Sequence, residues 1–182
     1  MKKHIANLSV VIGGLGYLVL IIALIRSTGE GLSLSTFALL SALAWITSFT
    51  MLKQKANPAV PMIFGTGATI TTLTLLVKGR YGWSNFDTLI AALVVACIVL
   101  WLTSGPKLAL IMSIAASVIA FIPFIALTWK SPGTSPIIPN SCFLIANILA
   151  FSSAKTWTLE DRLYSSVNIV LCTILVLPWL IG

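Results

Sequence analysis

Residues 5–25 of this 182-residue chain read IANLSVVIGGLGYLVLIIALI and contain no charged side chain. About 20 apolar residues are enough for a helix to cross the hydrocarbon core of a bilayer. This apolar run is longer than the core of a secretory signal peptide, and no small-residue cleavage pattern follows it. The run therefore predicts a first membrane helix that is retained in the mature protein.

The composition extends this reading to the whole chain. Hydrophobic residues make up 58 % of the sequence and charged residues only 8 %, and the mean hydropathy is +1.06. A soluble domain carries roughly 25 % charged residues to cover its surface. The net charge of +7 is spread singly or in pairs between the apolar runs, as anchors of membrane helices are. We therefore expect an integral membrane protein whose partner is the lipid bilayer, and no nucleic acid.

Seven apolar segments reach the minimum of roughly 17 residues that a membrane helix needs. They are continuous, whereas barrel strands would alternate with a period of two over about 10 residues. The breaks between them contain prolines, glycines and charges that end helices. The sequence therefore predicts an all-α membrane protein with seven transmembrane helices. The segments are Ile5–Ile25, Thr36–Leu52, Ala59–Val77, Phe86–Leu102, Pro106–Trp129, Ile137–Ala154 and Leu163–Leu180.

The ionisable residues point away from enzymes. The only histidine is His4, and no group of His, Cys, Asp or Glu has the spacing of a metal or catalytic site. We expect no cofactor and no metal. None of the four acidic residues lies deep in a predicted helix, and this favours a passive facilitator over a proton-coupled pump. Asp87, in the stretch Ser-Asn-Phe-Asp, is interpreted as a helix N-terminal cap.

A weak internal repeat relates the two halves of the chain. IALIRSTGEGLSLSTFALLSALAW begins at Ile22, and IALTWKSPGTSPIIPNSCFLIAN begins at Ile125. Each has a basic residue, Arg26 or Lys130, followed by Ser and then by Gly two positions on. A triplet of helices ends on the opposite side from its start, so a single linker helix returns a second triplet to the same orientation. We predict a first triple-helix repeat at 1–79, a linker helix at 80–104 and a second repeat at 105–182.

The residues of these two copies resemble a known superfamily. STGEGLSLSTFALLSALAW resembles the loop and second helix of the SWEET sugar facilitators, within the wider MtN3/PQ-loop superfamily. FIPFIALTWKSPGTS is similar to the PQ-loop itself, with Pro123 at the family proline and Phe124 where Gln is usual. The resemblance implies two parallel triplets, a solute pocket between them near the middle of the bilayer, and transport by alternating access.

The resemblance also implies site residues. The serine and tryptophan of the family's second helix match Ser41 and Trp45, and its pocket asparagine matches Asn168. The family's third-helix asparagine falls at Gly65 or Thr66. From the residues alone, Trp45 is either packed in the core or a stacking platform for a solute. Asn147 and Asn168 each bond to a neighbouring helix or face a wet cavity.

Three prolines are candidate hinges, because proline frees a carbonyl and permits bending. They are Pro61, Pro123 and Pro139. The predicted substrate-binding set is Ser41, Trp45, Thr66, Asn147 and Asn168.

The first functional hypothesis is a multi-pass facilitator, or uniporter, for a small neutral solute such as a sugar. Two alternatives remain open: a non-transporting receptor or scaffold of the KDEL-receptor kind, and a PnuC-like vitamin transporter with more aromatic side chains in its cavity. We expect a location in a cell membrane, such as the bacterial inner membrane. Seven Lys and Arg residues fall on the side of the N-terminus and four on the other. This favours a cytoplasmic N-terminus, whereas SWEETs have theirs outside. Homo-oligomerisation stays open.

Overall fold

The computed structural model describes residues 2–26, 33–79, 83–131, 136–154, 156 and 158–181. Within these ranges the chain forms seven α-helices, and the prediction of an all-α protein is confirmed. Gly29 and Gly133 of the repeated loop motif lie outside the described residues. The helices are α1 (Lys2–Arg26), α2 (Leu34–Lys53), α3 (Ala59–Val77), α4 (Asn85–Ser104), α5 (Pro106–Lys130), α6 (Ile137–Ser153) and α7 (Leu159–Ile181).

Local chemistry explains where several helices begin. Ser84 is the N-cap of α4, and the side chains of Ser84 and Asp87 each accept a hydrogen bond from the other's backbone N–H. This reciprocal capping box satisfies two N–H groups that the first helical turn leaves open. It confirms that Asp87 serves the helix start. The sharp start of α5 depends on Gly105, whose φ of 91° is accessible mainly to glycine, followed by Pro106 at the first helical position.

Six of the described helices are long and apolar enough to cross a membrane; α6 is apolar but has only 17 residues. The outward faces of the bundle are apolar as well. Leu18, Val95 and Val170 are each more than half exposed, which is the surface that acyl chains solvate. Six candidate spans together with these faces are consistent with a multi-pass integral membrane protein.

Contacts between helix ends give the relative directions of the helices. Lys78, at the end of α3, donates to the carbonyls of Leu24 and Ile25 at the end of α1. Glu160, at the start of α7, forms a 2.8 Å ion pair with Lys107 at the start of α5. Thus α1 runs parallel to α3, and α5 runs parallel to α7.

The remaining directions follow in the same way. Asn57, just before α3, donates to Asp161 in the first turn of α7, so these two helices are also parallel. Gln54, at the end of α2, donates to the carbonyl of Pro106 at the start of α5, so α2 runs the opposite way. We call the end where α1, α3, α5 and α7 begin the Lys2 end, and the opposite end the Arg26 end.

Six helix interfaces form a closed ring. Its order is α1, α3, α2, α5, α7, α6 and back to α1, while α4 packs outside the ring on α5 and α2. One cluster of buried side chains lies inside the ring, and a second cluster fills the contact of α2, α4 and α5.

The close contact between α1 and α3 depends on Gly67, which has no side chain. A Cβ atom added at Gly67 would lie 2.1 Å from Cγ of Tyr17. The Tyr17 ring therefore rests directly on the α3 backbone. In lipid such close packing drives association, because no hydrophobic force acts between apolar helices.

Candidate functional site

A cavity of about 250 Å³ lies inside the ring, between the first three helices and the last three. Every ring helix contributes to its wall, and α4 contributes none of the described lining residues. The lining residues are Tyr17, Leu20, Ser33, Thr36, Phe37, Leu40, Ala44, Phe64, Ala68, Ser117, Phe121, Pro123, Phe124, Leu127, Pro136, Pro139, Asn140, Phe143, Tyr164, Asn168, Cys172 and Leu175.

The cavity extends from the Arg26 end into the bundle. Helices α2 and α6 begin at that end, and both line the cavity from their N-caps, Ser33 and Pro136, onward. Helices α1 and α5 line it from about their midpoints onward, starting at Tyr17 and Ser117, whereas α3 and α7 line it from Phe64 and Tyr164, each the sixth residue of its helix. The walls therefore run from the Arg26 end past the middle of the bundle on the α3 and α7 side.

Four aromatic rings pack together where the cavity approaches the middle of the bundle. The Tyr17 ring lies 5.6 Å from the Phe64 ring and 4.7 Å from the Phe143 ring. Phe64 lies 5.0 Å from Phe143 and 6.1 Å from Tyr164. These edge-on and tilted arrangements are the ones that aromatic quadrupoles favour. Because the four rings come from α1, α3, α6 and α7, they join the first three helices to the last three beneath the cavity.

Three polar groups of the wall are not used by the protein. The side-chain N–H of Asn168 donates to the carbonyl of Tyr164 at 2.9 Å, and Oδ1 of Asn168 has no described partner. The hydroxyls of Tyr17 and Tyr164 likewise have no hydrogen-bond partner among the described residues. All three side chains are at least nine-tenths buried. Buried polar groups are normally hydrogen-bonded, so these three are available to a bound molecule.

The hydroxyls of Ser33, Thr36 and Ser117 on the wall are already bonded within the protein. Ser33 pairs with Ser35 at 2.7 Å, and Ser117 donates to a carbonyl one turn back on its own helix. Thr36 donates to Asp87 at 3.3 Å, which ties the start of α2 to the start of α4. None of the described residues that line the cavity is charged.

The lining residues from the two halves of the chain are in matching register. Of the 22 lining residues, sixteen form eight pairs whose members are 103 or 104 positions apart, so the two halves place equivalent positions on the wall. The pairs are Tyr17 and Phe121, Leu20 and Phe124, Ser33 and Pro136, Thr36 and Pro139, Phe37 and Asn140, Leu40 and Phe143, Phe64 and Asn168, and Ala68 and Cys172.

Of the five substrate-binding residues predicted from sequence, Asn168 lines the cavity and the other four are not among the described lining residues. Ser41 and Trp45 do share one face of α2, as predicted, but that face meets α3. Both side chains bond to the hydroxyl of Thr69, at 2.7 and 3.2 Å.

The Trp45 ring rests against the backbone of Gly65, where an added Cβ would lie 3.1 Å from it. It also stacks on Phe49 at 5.8 Å. The structure therefore favours the interpretation of Trp45 as packing between helices. Positions 40 and 44 of α2, which precede Ser41 and Trp45, face the cavity instead.

Thr66 and Asn147 also lie away from the wall. Thr66 is exposed on the outside of α3 and donates to the carbonyl of Met62 one turn back. Asn147 is fully buried and donates to the carbonyl of Phe143 at 2.8 Å, while its Oδ1 has no partner among the described residues. Asn147 thus bonds within its own helix.

The three candidate hinge prolines occupy different places. Pro61 is buried in the first turn of α3. Pro123 lies inside α5, and Pro139 lies in the first turn of α6; both line the cavity. Their role as hinges stays a prediction.

The sequence interpretation missed the aromatic residues of the wall. Tyr17 and Tyr164 carry the free hydroxyls, and Phe64 and Phe143 pack against them. One signal was present: Tyr164 lies one helical turn before Asn168, and residues four apart share a helix face.

No family model matches the sequence, and the comparisons with curated proteins and with solved structures found no match either. The proposed function therefore rests on the cavity.

Proposed function

We propose that this protein is a membrane facilitator that carries a small neutral solute across the bilayer by alternating access. The observation that supports it most directly is the cavity between the first and last three helices, with unused polar groups on its wall. Apolar cavities with a few convergent polar groups are the usual form of a small-molecule site. The absence of charged residues from the described wall favours a neutral solute, because a buried unpaired charge is costly.

The proposed architecture is two parallel three-helix units, α1–α3 and α5–α7, joined by the linker helix α4. Three observations support it. The ring order is α1, α3, α2 in the first unit and α5, α7, α6 in the second. Judged from the contacts between helix ends, α1–α3 and α5–α7 alternate in direction in the same way. The eight lining pairs relate equivalent positions of the two units. Parallel repeats about an axis along the membrane normal are a known transporter plan.

The half of the bundle nearer the Lys2 end is closed by contacts between the two units. Four hydrogen bonds cross from one unit to the other there, and one of them, between Thr47 and Ser113, is fully buried. The contacts are Asn57 to Asp161 at 3.0 Å, Gln54 to Pro106 at 3.2 Å, Lys2 to Ala154 at 3.4 Å and Thr47 to Ser113 at 2.9 Å.

At the Arg26 end, each unit has a side-chain contact that joins two of its own helices. Lys78 ties α3 to α1 within the first unit. Trp129 of α5 donates to the carbonyl of Ile174 of α7, at 3.2 Å, within the second unit. Rocking of the two units would therefore break these four hydrogen bonds at the Lys2 end and shift the α1–α6 and α2–α5 interfaces, while narrowing the cavity at the Arg26 end. This is the rigid-body motion that alternating access requires.

The charge distribution suggests which end faces the cytoplasm. The flanks of the Lys2 end carry seven of the eleven Lys and Arg residues. By the positive-inside rule this end is cytoplasmic, so the Arg26 end, from which the cavity extends, faces outward from a cell membrane such as the bacterial inner membrane. Labelling of single cysteines placed at Lys55 and Ser131, from outside intact cells, tests this orientation; the Ser131 position should react.

The function is tested by blocking the cavity in reconstituted protein. Ala44 lines the cavity, so Ala44→Phe fills part of it, whereas Ala115→Phe adds the same ring on the exposed outer face of α5. We expect entry of labelled neutral solutes into proteoliposomes to fall with the first variant and to persist with the second. A panel of glucose, alanine, uracil and nicotinamide provides the probes. Binding of a probe without any flux would favour a receptor on the same fold and would overturn the facilitator proposal.

A further inference from the structure

We infer that the solute is a small planar heterocycle carrying amide-type N–H and C=O groups, and that it is not a polyhydroxylated sugar. This inference rests on the proposed function, since it names the solute of the same cavity. Seven of the 22 described lining residues are aromatic, and the wall is otherwise mainly aliphatic. Flat rings bind such walls by offset or edge-on stacking. The rings are Tyr17, Phe37, Phe64, Phe121, Phe124, Phe143 and Tyr164.

The number of free polar groups argues against a sugar. A monosaccharide carries several hydroxyls, and each needs a partner when it leaves water. The described wall offers three groups that the protein does not already use, on Tyr17, Tyr164 and Asn168, whereas Ser33 and Ser117 are bonded internally. A sugar would therefore bring more hydroxyls to the wall than there are unpartnered groups to bind them.

The kinds of free polar group match a ring amide. Oδ1 of Asn168 is a carbonyl oxygen and therefore accepts hydrogen bonds, while one N–H of the same amide donates to the carbonyl of Tyr164. It is complementary to an N–H group of the solute. The two tyrosine hydroxyls can donate to a carbonyl oxygen. A heterocyclic amide presents both groups in one plane, so it can stack on the rings and bond at its edge.

The two halves of the wall differ in chemistry although they match in position. Phe64 and Ala68 of α3 occupy the positions that Asn168 and Cys172 occupy in α7. Phe37 of α2 occupies the position of Asn140 in α6. The α6–α7 side of the cavity is thus more polar than the α2–α3 side. This asymmetry favours a solute with one polar edge and one apolar face, which binds in a single orientation.

The size of the cavity agrees with a small solute. Its volume of about 250 Å³ lies just below the roughly 300–1,000 Å³ that is typical of pockets for drug-sized ligands. A single-ring or two-ring heterocycle is of the right size, whereas a disaccharide is too large for this state of the cavity.

Direct binding to purified protein in detergent tests the solute class. Nicotinamide and uracil serve as planar amides and glucose serves as the polyol, each in titration calorimetry and in thermal unfolding. We expect at least one planar amide to bind and to raise the unfolding temperature, since a ligand of the native state stabilises it, with no effect of glucose. Asn168→Leu should weaken that binding about tenfold, the loss of one buried hydrogen bond.

Tyr164→Phe removes a single hydroxyl and provides a second test if Asn168→Leu does not fold. Thr173→Val, at an exposed position on the outer face of α7, is the control that should bind normally. The inference is overturned if glucose binds as well as the planar amides, or if neither planar amide binds. Glucose flux that is blocked by Ala44→Phe would overturn it while leaving the facilitator intact. Binding of a planar amide without flux would support the inference about the solute and overturn the facilitator proposal.

Discussion

The backbone N–H of Asn57 donates a 3.0 Å hydrogen bond to Oδ1 of Asp161, which ties the residues before α3 to the first turn of α7. The other carboxylate oxygen accepts from the backbone N–H of Thr156 at 2.9 Å. One buried carboxylate therefore links the first three helices to the loop and helix at the end of the chain. The bonds are charge-assisted, and such bonds are stronger than neutral ones.

Asp161→Asn should destabilise the protein by about 1–3 kcal/mol, because an amide has only one oxygen with which to accept these bonds. Glu160→Gln is the matched control one residue away. Glu160 pairs with Lys107, whose side chain is 67 % exposed, and exposed ion pairs contribute about 0–1 kcal/mol. Thermal unfolding in detergent compares the two variants. Equal losses of stability would contradict the special role of Asp161.

Gly67→Ala should lower the stability by about 1–3 kcal/mol through overpacking. The added Cβ would lie 2.1 Å from Cγ of Tyr17. That atom is close to the Tyr17 backbone, so the ring cannot simply rotate away. Gly14→Ala is the control, because nothing lies within 4 Å of its added Cβ. It should be neutral or stabilising by up to about 1 kcal/mol through helix propensity. If both variants unfold at the wild-type temperature, the close contact of α1 with α3 is not present in the protein.

Asn147→Leu should leave the stability unchanged or raise it. The side chain is fully buried and its Oδ1 has no partner among the described residues, and an unsatisfied buried polar atom costs about 1–3 kcal/mol. Leucine has a similar volume and no polar atom. The free energy of unfolding in detergent measures the change. A loss of more than about 2 kcal/mol would mean that Oδ1 has a partner, such as a buried water.

Trp45→Phe should change solute binding by less than about twofold, which corresponds to about 0.5 kcal/mol. The ring of Trp45 packs on Gly65 and Phe49 and is not among the described residues that line the cavity. Calorimetry with whichever probe binds the wild type measures the effect, with Asn168→Leu as the positive control. A large loss of affinity in Trp45→Phe together with an unchanged unfolding temperature would restore Trp45 to the binding site.

The helices could be predicted closely from the sequence. Apolar length and the breakers between runs predicted Ala59–Val77 with the same bounds that the structure has. The largest error was at the start of α7, which was predicted at Leu163 but begins at Leu159. Glu160 and Asp161 lie in that first turn, where carboxylates are favourable at the positive end of the helix dipole. A segment chosen by hydropathy excludes charged residues, so the predicted helix begins only after them.

The lining of the cavity could be predicted only in part. Asn168 lines the cavity, whereas Trp45, one residue beyond Ala44, does not line it. One residue rotates a side chain by about 100° around a helix, so Ala44 lines the cavity while Trp45 contacts α3. Hydropathy does not settle this in a membrane helix, because the inward and the lipid-facing surfaces are both apolar.

The sequence by itself therefore determined two things, the expected lipid environment of this protein and the positions of its helices. Both depend on the transfer of apolar side chains and backbone groups into lipid, and this transfer depends only on which residues follow one another. The tertiary structure decided which helices are neighbours, which face of each turns inward, and that Tyr17, Tyr164 and Asn168 line one cavity. These relationships depend on packing between residues far apart in the chain, such as Tyr17 on Gly67, and no local pattern of hydrophobicity encodes them.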